Sequence, residues 1–336
     1  MTTGVYIIAE LGNNHDGSFG IARQMIKAAA DCGVDAVKIQ THFFSEESLT
    51  DAPNPPYFKS ESRQEYFDRT SFSKSQYLSL LEYSTHLGVD FLSSPFSEKA
   101  VFFLEEIGVS KYKIPSGELT NTSMLKLIAQ TNKPVILSTG MSSLDEIDIA
   151  VNILLGEDCK DLTLLQCTSE YPCPPDSIGL NMINEFSDRY KLDIGFSDHT
   201  LGMAAPIAAV TLGAKIIEKH FTLSQLMYGS DAKHSMEPQD FKQMVRNIRE
   251  IEQALSNPVN KNDLSKKLID MKHIFEKSIV ASIDIPIGVR ISKEMLAFKK
   301  PGNGISASNV DNIIGKKTRN FISANTILKF EDLDIE

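Results

Sequence analysis

Eight short apolar runs alternate with segments of helical period through about two-thirds of the chain, and this alternation restricts the fold more than any other feature. Each run is continuously apolar, as expected for parallel strands that are buried on both faces. The runs are residues 5–9, 36–40, 89–93, 112–115, 134–138, 162–166, 192–196 and 215–218. Eight such units predict an α/β fold in the form of a (β/α)8 TIM barrel. A doubly wound open sheet is the alternative with the same local pattern.

The segments between the runs carry signals for helices. Residues 143–146 (SLDE) fit a capping box, and Ser97 precedes another helical stretch. A helix over about residues 239–255 would complete the barrel. We therefore predict a barrel domain over residues 1–256, which would carry any active site at the C-terminal ends of its strands.

The pattern changes after residue 256. The polar segment 257–274 predicts a linker with a short helix, and residues 275–336 predict a small β-rich domain. Its β-like runs, 278–283, 295–298 and 320–322, are separated by turns that contain glycine and proline. A domain of this size buries little apolar surface alone, so docking on a partner subunit would supply further burial.

Composition narrows the class of protein. A hydrophobic content of 42% with 23% charged residues is typical of a globular chain. A net charge of −10 without a basic run argues against binding to nucleic acid or anionic membranes. The first apolar run is too short for a signal sequence or a membrane span, and the four cysteines show no CxxC spacing. We therefore expect a cytoplasmic protein with reduced thiols.

Polar side chains end seven of the eight predicted strands, and in a TIM barrel these ends gather at one mouth. His199 and His220 end the adjacent strands seven and eight. Their imidazoles could converge on a divalent metal ion and leave positions for water and substrate oxygens. Asp198 and Glu218 could orient these ligands or form ordinary ion pairs, and their spacing does not decide between the two.

Two lysines, Lys38 and Lys113, lie within otherwise apolar strands, where an unpaired ammonium group is costly. Each is either a ligand for an anion or a Schiff-base nucleophile. Ser116 and Ser138, each close to a glycine, favour a phosphate site beside Lys113. The purely structural alternative is a salt bridge from Lys113 to Glu118 or Glu10.

Glu10 ends an apolar strand and is the strongest candidate for acid–base chemistry, with a salt bridge to Lys38 as the structural alternative. Asp231 could bind substrate hydroxyls or cap the helix after it. His15 and His234 lie in loops and are expected to be structural or solvated.

Together these segments resemble the sialic acid synthase family, which includes N-acetylneuraminate and legionaminate-type synthases. The likeness runs nearly end to end and in order, and its final motif resembles the antifreeze-like (SAF) domain of that family. The matching segments are residues 8–17 (IAELGNNHDG), 37–41 (VKIQT), 112–118 (YKIPSGE), 137–141 (LSTGM), 195–200 (GFSDHT), 218–222 (EKHFT), 229–231 (GSD) and 300–305 (KPGNGI).

The resemblance implies a domain-swapped homodimer that condenses phosphoenolpyruvate with an N-acylated mannosamine-type sugar and water. The products would be a nonulosonic, sialic-acid-like acid and phosphate. The resemblance also implies that His199 and His220 hold Mn2+ or Mg2+, with Glu10 as general acid/base beside the ion. The residues that it implies for phosphoenolpyruvate are Lys38, Lys113, Ser116, Ser138, Ser169 and Ser197. Those that it implies for the sugar are Gln40, Glu118, Tyr171, Asp231 and Lys300.

Two positions depart from the family pattern, and both bear on which sugar is used. Some members have asparagine where Ser169 stands, and some have arginine where Lys300 stands. In the family, the arginine is thought to reach the N-acyl group of the sugar that the partner subunit binds. Lys300 does not offer the planar, two-pronged donor set of arginine, so its contact with this acyl group would differ. The other functions that the residues allow are a Schiff-base aldolase of the pyruvate class and a sugar-binding barrel without catalysis.

Overall fold

The computed structural model describes residues 4–55, 60–157 and 159–334. The chain divides into two compact units, Met1–Ser256 and Asn257–Glu336. No helix in the described part of the chain is long and apolar enough to cross a membrane.

The first unit is a nearly closed barrel of eight parallel strands, which confirms the predicted fold. The sheet order is β3-β2-β1-β8-β7-β6-β5-β4, so β1 pairs with both β2 and β8, and β3 lies next to β4. Because the first and last strands are neighbours, the open doubly wound alternative is wrong. The strands are β1 (Tyr6–Gly12), β2 (Ala36–Thr41), β3 (Asp90–Pro95), β4 (Tyr112–Ile114), β5 (Val135–Ser138), β6 (Leu162–Cys167), β7 (Asp193–Asp198) and β8 (Ile216–His220).

Most strands extend beyond the predicted apolar runs at their C-terminal ends. For example, β8 continues to His220 and β7 to Asp198, because their backbones stay in the parallel ladder after the side chains become polar. Apolar character therefore marks the part of each strand that lies in the core and stops short of the part that lies at the mouth.

Helices follow the strands, and several begin at the predicted caps. Ser143 and Glu146 form the complete capping box of α7, and the Ser97 side chain accepts a hydrogen bond from the Ala100 N–H at the start of α5. The helices of this unit are α1 (Phe19–Asp31), α2 (Phe44–Glu47), α3 (Arg63–Thr70), α4 (Lys74–His86), α5 (Glu98–Ile107), α6 (Thr122–Ala129), α7 (Leu144–Gly156), α8 (Asn181–Tyr190), α9 (Ala204–Thr211) and α10 (Pro238–Ser256).

The barrel has two apolar layers. Side chains on the outer face of the strands, such as Ile7 and Ile217, pack against buried helix residues such as Met25 and Met244. A smaller cluster fills the barrel interior below the mouth: Ile8, Ala36, Leu92, Ile136, Leu165 and Ile216. This inner layer closes the barrel directly below the polar C-terminal ends of the strands.

The second unit contains α11 (Lys261–Lys267) and α12 (Ile269–Phe275) within the segment predicted as a linker. The antiparallel strands β9 (Ser278–Ala281) and β10 (Leu296–Lys299) and the short α13 (Val310–Ile313) follow. The third predicted strand, residues 320–322, is not a strand in the structure, because only the isolated bridge of Ile322 with Ile285 forms there. The core residues of this unit are Ile279, Ala281, Ile285, Ile291, Ile305, Ile313, Ile322, Leu328 and Leu333.

Candidate active site

A cavity of about 520 Å³ lies at the C-terminal ends of the barrel strands. Thirteen of the fourteen predicted site residues line it: Glu10, Lys38, Gln40, Lys113, Ser116, Glu118, Ser138, Ser169, Tyr171, Ser197, His199, His220 and Asp231. The fourteenth, Lys300, belongs to the second unit, where its ammonium lies 5.0 Å from the ring centre of Phe275.

The strand period of two explains which side chains enter the cavity. Glu218 and His220 are two residues apart in β8 and both line it, whereas Lys219 between them points away. Lys219 instead forms a buried ion pair with Asp198, which stands at the corresponding outward position of β7. Asp198 therefore has a structural role behind the cavity wall.

Four buried charges form the centre of the cavity. The Lys38 ammonium lies 3.1 Å from Glu10 Oε2 and 3.4 Å from Glu218 Oε2, and it also donates to Ser94 Oγ at 3.1 Å. The Lys113 ammonium lies 3.3 Å from Glu218 Oε1. The expected salt bridge from Lys38 to Glu10 is present, whereas Lys113 pairs with Glu218 and with neither Glu10 nor Glu118. Glu218 therefore bridges the two lysines.

Burial and pairing shift these groups in different directions. Burial lowers the pKa of Lys38, but the ion pairs with Glu10 and Glu218 outweigh burial and raise it overall. Burial dominates at Lys113 and lowers its pKa despite the attraction of Glu218. Burial raises the pKa of Glu218, but the attraction of the two lysines is stronger and lowers this pKa overall. Glu218 is therefore a carboxylate, and Lys113 is the more easily deprotonated lysine.

Hydroxyl groups surround Lys113 on the neighbouring strands. The Gly140 N–H donates to Ser116 Oγ at 3.0 Å, Ser197 Oγ donates to Glu218 Oε1 at 3.1 Å, and Ser169 lines the same wall. Ser138 Oγ is buried and has no hydrogen-bond partner in the described part of the chain. Two ammonium groups with several hydroxyl donors are well suited to a phosphate or carboxylate ligand.

The two predicted metal ligands lie side by side, with 5.5 Å between their ring centroids. His199 Nδ1 lies 2.7 Å from the Thr168 carbonyl oxygen, which only accepts, so a neutral His199 keeps a lone pair on Nε2. Burial lowers the pKa of His220, and its Nδ1 has no hydrogen-bond partner in the described chain. A neutral, unpartnered imidazole beside a second one fits a metal ion.

His199 and His220 are the two protein side chains that we assign to a metal ion. Within residues 4–55, 60–157 and 159–334, no group of three or more His, Cys, Asp and Glu side chains is spaced to hold a metal ion. The remaining ligands of an ion here would therefore come from water or substrate oxygens.

Residues with hydrogen-bonding side chains form the wall toward the mouth. Gln40 Nε2 donates to Glu10 Oε1 at 2.9 Å, and the Tyr171 ring lies 4.1 Å from that of His199. Burial raises the pKa of Glu118. Asp231 makes no side-chain cap, so the capping alternative is wrong, and its carboxylate lies 3.8 Å from His220 Nδ1.

Gly12, the last residue of β1, lies next to the side chain of Asp231. Its φ is +51°, and a Cβ at this position would lie 2.8 Å from Asp231 Oδ2. Glycine suits this left-handed backbone conformation, and a side chain here would displace the Asp231 carboxylate.

His15 is buried away from the cavity lining, with its ring 4.5 Å from that of Phe72, and burial lowers its pKa to about 4. It is structural, as expected.

Sequence reasoning missed several residues of the cavity. The sequence does not decide the role of Glu218, although its spacing of two from His220 places both side chains on one face of the strand. Cys167 has no role in the sequence analysis, and its sulphur lies 3.9 Å from His199 Nδ1. His42 continues the spacing of Lys38 and Gln40 and lines the cavity with them. The following residues come from loops and from α2 and α3, where no strand period shows their direction: Glu47, Asn54, Arg63, Tyr66, Phe67 and Phe96.

Comparisons with known proteins agree with this architecture. The NeuB family model matches residues 25–260, and the SAF domain model matches residues 276–334. A solved structure of similar fold is the N-acetylneuraminic acid (sialic acid) synthetase from Leptospira borgpetersenii. Its TM-score is 0.71 at 32% identity, over 80% of this chain and 92% of that one.

Two curated relatives are similar over nearly the whole chain. The N,N'-diacetyllegionaminic acid synthase of Campylobacter jejuni is 40% identical over 323 residues, which cover 94% of this chain and 96% of that protein. The human N-acetylneuraminate-9-phosphate synthase is 34% identical over 319 residues, which cover 93% of this chain and 88% of that protein.

Proposed function

The chain belongs to the NeuB family, and on that basis we propose that it condenses phosphoenolpyruvate with an N-acylated mannosamine-type sugar and water. The products are a nonulosonic acid and phosphate. The observation that carries the proposal is the convergence, in one cavity, of two buried lysines, a row of hydroxyls, a pair of imidazoles and Glu10. This set can bind an anion and transfer a proton at the same place.

Phosphoenolpyruvate would occupy the part of the cavity around the two lysines. Lys38 and Lys113 would neutralise its charges, and the hydroxyls would donate to its oxygens. The hydroxyl donors are Ser116, Ser138, Ser169 and Ser197. Glu218 already forms ion pairs with both ammonium groups, so phosphoenolpyruvate would share the two lysines with this carboxylate. The ion pairs would also hold the lysines in position before the substrate binds.

The reaction forms one carbon–carbon bond, from C3 of phosphoenolpyruvate to the aldehyde carbon of the open-chain sugar. Water adds to C2, the C2–phosphate link is lost, and a 2-keto acid remains. The water loses two protons, one in exchange for the proton that the aldehyde oxygen gains and one that leaves with the phosphate. Glu10 would transfer one of them, and its burial near the end of β1 with Gln40 and Lys38 as partners supports this role.

His199 and His220 would hold a divalent ion, Mn2+ or Mg2+, and their lone pairs and spacing support this assignment. When bound, such an ion polarises a carbonyl oxygen and orients the substrate. Gln40, Glu118, Tyr171 and Asp231 would contact the sugar.

We further propose that the second unit acts on the barrel of another subunit. In this arrangement residues 1–256 are the catalytic domain, 257–274 the linker and 275–336 the SAF domain. Lys300 would reach the acyl group of the sugar in the active site of the partner subunit of a homodimer.

A phosphate-release assay tests the function. Phosphoenolpyruvate and Mn2+ would be combined with N-acetylmannosamine, its 6-phosphate and a 2,4-diacetamido-trideoxy sugar in parallel. We expect phosphate release with at least one sugar, loss of release after thorough chelation, and the same loss in His199→Ala. Release that survives chelation would refute the two-histidine metal site, and no release with any sugar would refute the synthase.

The lowered pKa of the buried Lys113 favours one alternative, a Schiff-base aldolase. Borohydride reduction in the presence of pyruvate separates the two. The synthase predicts no covalent adduct, whereas an adduct at Lys113 would establish the aldolase.

A further inference from the structure

His42 follows β2 directly and is buried beside the cavity, although neither the proposed chemistry nor the metal site uses it. Its ring is stacked between two phenylalanines. The centroid of Phe67 lies 3.8 Å away at an interplanar angle of 7°, and that of Phe96 lies 4.2 Å away at 23°. This stack fixes the plane of the imidazole, so the directions of its two ring nitrogens are fixed as well.

Both ring nitrogens take part in a chain of hydrogen bonds that ends at Glu10. Glu47 Oε1 lies 2.8 Å from His42 Nδ1, and His42 Nε2 lies 3.0 Å from Gln40 Oε1. The other end of the same amide, Gln40 Nε2, donates to Glu10 Oε1 at 2.9 Å. The side chains of His42 and Glu47 are each only 6% exposed.

The donor and acceptor properties of these atoms determine the direction of the hydrogen bond to Gln40. An amide oxygen only accepts, so His42 Nε2 is the donor to Gln40 Oε1. Glu47 and the two phenylalanine rings hold the imidazole in the orientation that this bond needs. Other charged groups at this end of the cavity include Arg63, Glu98 and Glu118, the Glu10–Lys38 pair, and the Glu46–Lys99 pair between α2 and α5.

The amide of Gln40 has two orientations that differ by a half turn, and only one suits Glu10. In the reversed orientation Gln40 Oε1 would face the Glu10 carboxylate, and two acceptors would repel each other. We propose that His42 is a positioning residue, which fixes the Gln40 amide with its N–H directed at Glu10. The kinetic consequence rests on the proposed function, because Glu10 is the proton-transfer group there.

A double-mutant cycle on phosphate release tests this role. His42→Phe keeps an aromatic ring in the stack and removes both donors. We expect a loss in kcat of about tenfold in the wild-type background, the cost of one charge-assisted hydrogen bond. In the Gln40→Ala background we expect no further loss, because no amide remains to be oriented. Equal losses in the two backgrounds would overturn the proposal.

A second variant guards against a folding defect in His42→Phe. Glu47→Gln keeps the size of the side chain and removes the negative charge beside His42 Nδ1, so the ring is held less firmly and kcat should also fall. His86→Phe, at the exposed end of α4, is the matched control and should retain the wild-type rate. Wild-type kcat in Glu47→Gln would contradict the role of the Glu47 contact.

A measurement without substrate separates this inference from the proposed function. In protein with 15N-labelled histidine, the His42 signals are assigned by their absence in His42→Phe or their displacement in Glu47→Gln. The Nε2 of His42 should carry a proton, as its hydrogen bond to Gln40 Oε1 requires. An Nε2 without a proton would overturn the proposal even if the enzyme is a synthase, whereas absence of phosphate release from the wild type would refute only the synthase.

Discussion

At the scale of single residues, the centre of the cavity consists of buried charges that lie close to opposite charges. Lys38 has two carboxylates within ion-pair distance and Lys113 has one, with Glu218 common to both. Removal of one member of such a group leaves a buried charge without its partner, which costs several kcal/mol in typical cases, roughly 3–5. Each charge therefore depends on its partners, and the two lysines among them can serve as an anion site.

His15 provides a residue-scale prediction about pH. Its pKa in the folded protein is about 4 because of burial, below the ordinary value of 6.5. The unfolded chain therefore binds more protons between these values, and stability present above pH 6.5 is lost as the pH falls toward 4. Between pH 7 and pH 5, the wild type should lose about 2 kcal/mol more unfolding free energy than His15→Gln.

Urea unfolding at the two pH values measures this difference. His86→Gln is the matched control, since His86 is an exposed histidine at the end of α4, and its pH dependence should equal that of the wild type. If His15→Gln shows the same pH dependence as the wild type, His15 does not titrate as its burial implies.

At the scale of elements, the sequence predicts strands well and loop-borne side chains poorly. Continuous apolar runs located all eight barrel strands, because a strand covered on both faces must be apolar throughout. The alternation of side chains along β8 could also have assigned Glu218 to the cavity. By contrast, the stacking of Phe67 and Phe96 on the two faces of His42 depends on the tertiary packing of α3 and of the end of β3. No local sequence pattern predicts these contacts.

Gly195 in β7 tests how tightly the strands pack inside the barrel. A Cβ at this position would lie 2.6 Å from the Ile216 carbonyl oxygen and would also collide with the Leu165 side chain. Gly195→Ala should therefore lower the unfolding free energy by about 1–3 kcal/mol, as overpacking of a core does.

Gly20, in the first turn of α1, is the matched control. A Cβ there would have only an ordinary contact with Ser18 Oγ, at 3.9 Å, and alanine favours a helix. Gly20→Ala should leave stability unchanged or raise it by less than about 1 kcal/mol. Equal effects of the two substitutions in urea unfolding would contradict the packing that the structure shows for β7.

At the scale of the whole molecule, a chain with a net charge of −10 is proposed to bind an anionic substrate. The net negative charge of the chain should repel such a substrate. Two lysines inside the cavity can still attract it, because solvent screening is weak there. The identity of the substrate could not be predicted from the spacing of charges alone. It depends on the family likeness, whereas the residues themselves are enough to predict an anion site and a pair of candidate metal ligands.

Subunit mixing tests the proposed domain exchange. In a swapped heterodimer of Glu10→Gln and Lys300→Ala chains, one active site carries both defects and the other carries neither. Random mixing by refolding should therefore restore about one quarter of the wild-type activity. Glu10→Gln mixed with His199→Ala is the control and should restore none, because each barrel keeps its own defect. No recovery in the first mixture, with heterodimers demonstrated by mass, would exclude the exchange.

The central claim is that one cavity joins C3 of phosphoenolpyruvate to a sugar aldehyde. The most direct measurement is 13C NMR of a reaction with [3-13C]phosphoenolpyruvate, Mn2+ and the sugar that supports phosphate release. We predict that the vinyl signal is replaced by that of an aliphatic CH2 carbon in a keto acid, with one phosphate released per bond formed and no conversion by Glu10→Gln. Transfer of the label to the methyl group of pyruvate, with phosphate released and no bond to the sugar, would contradict the account.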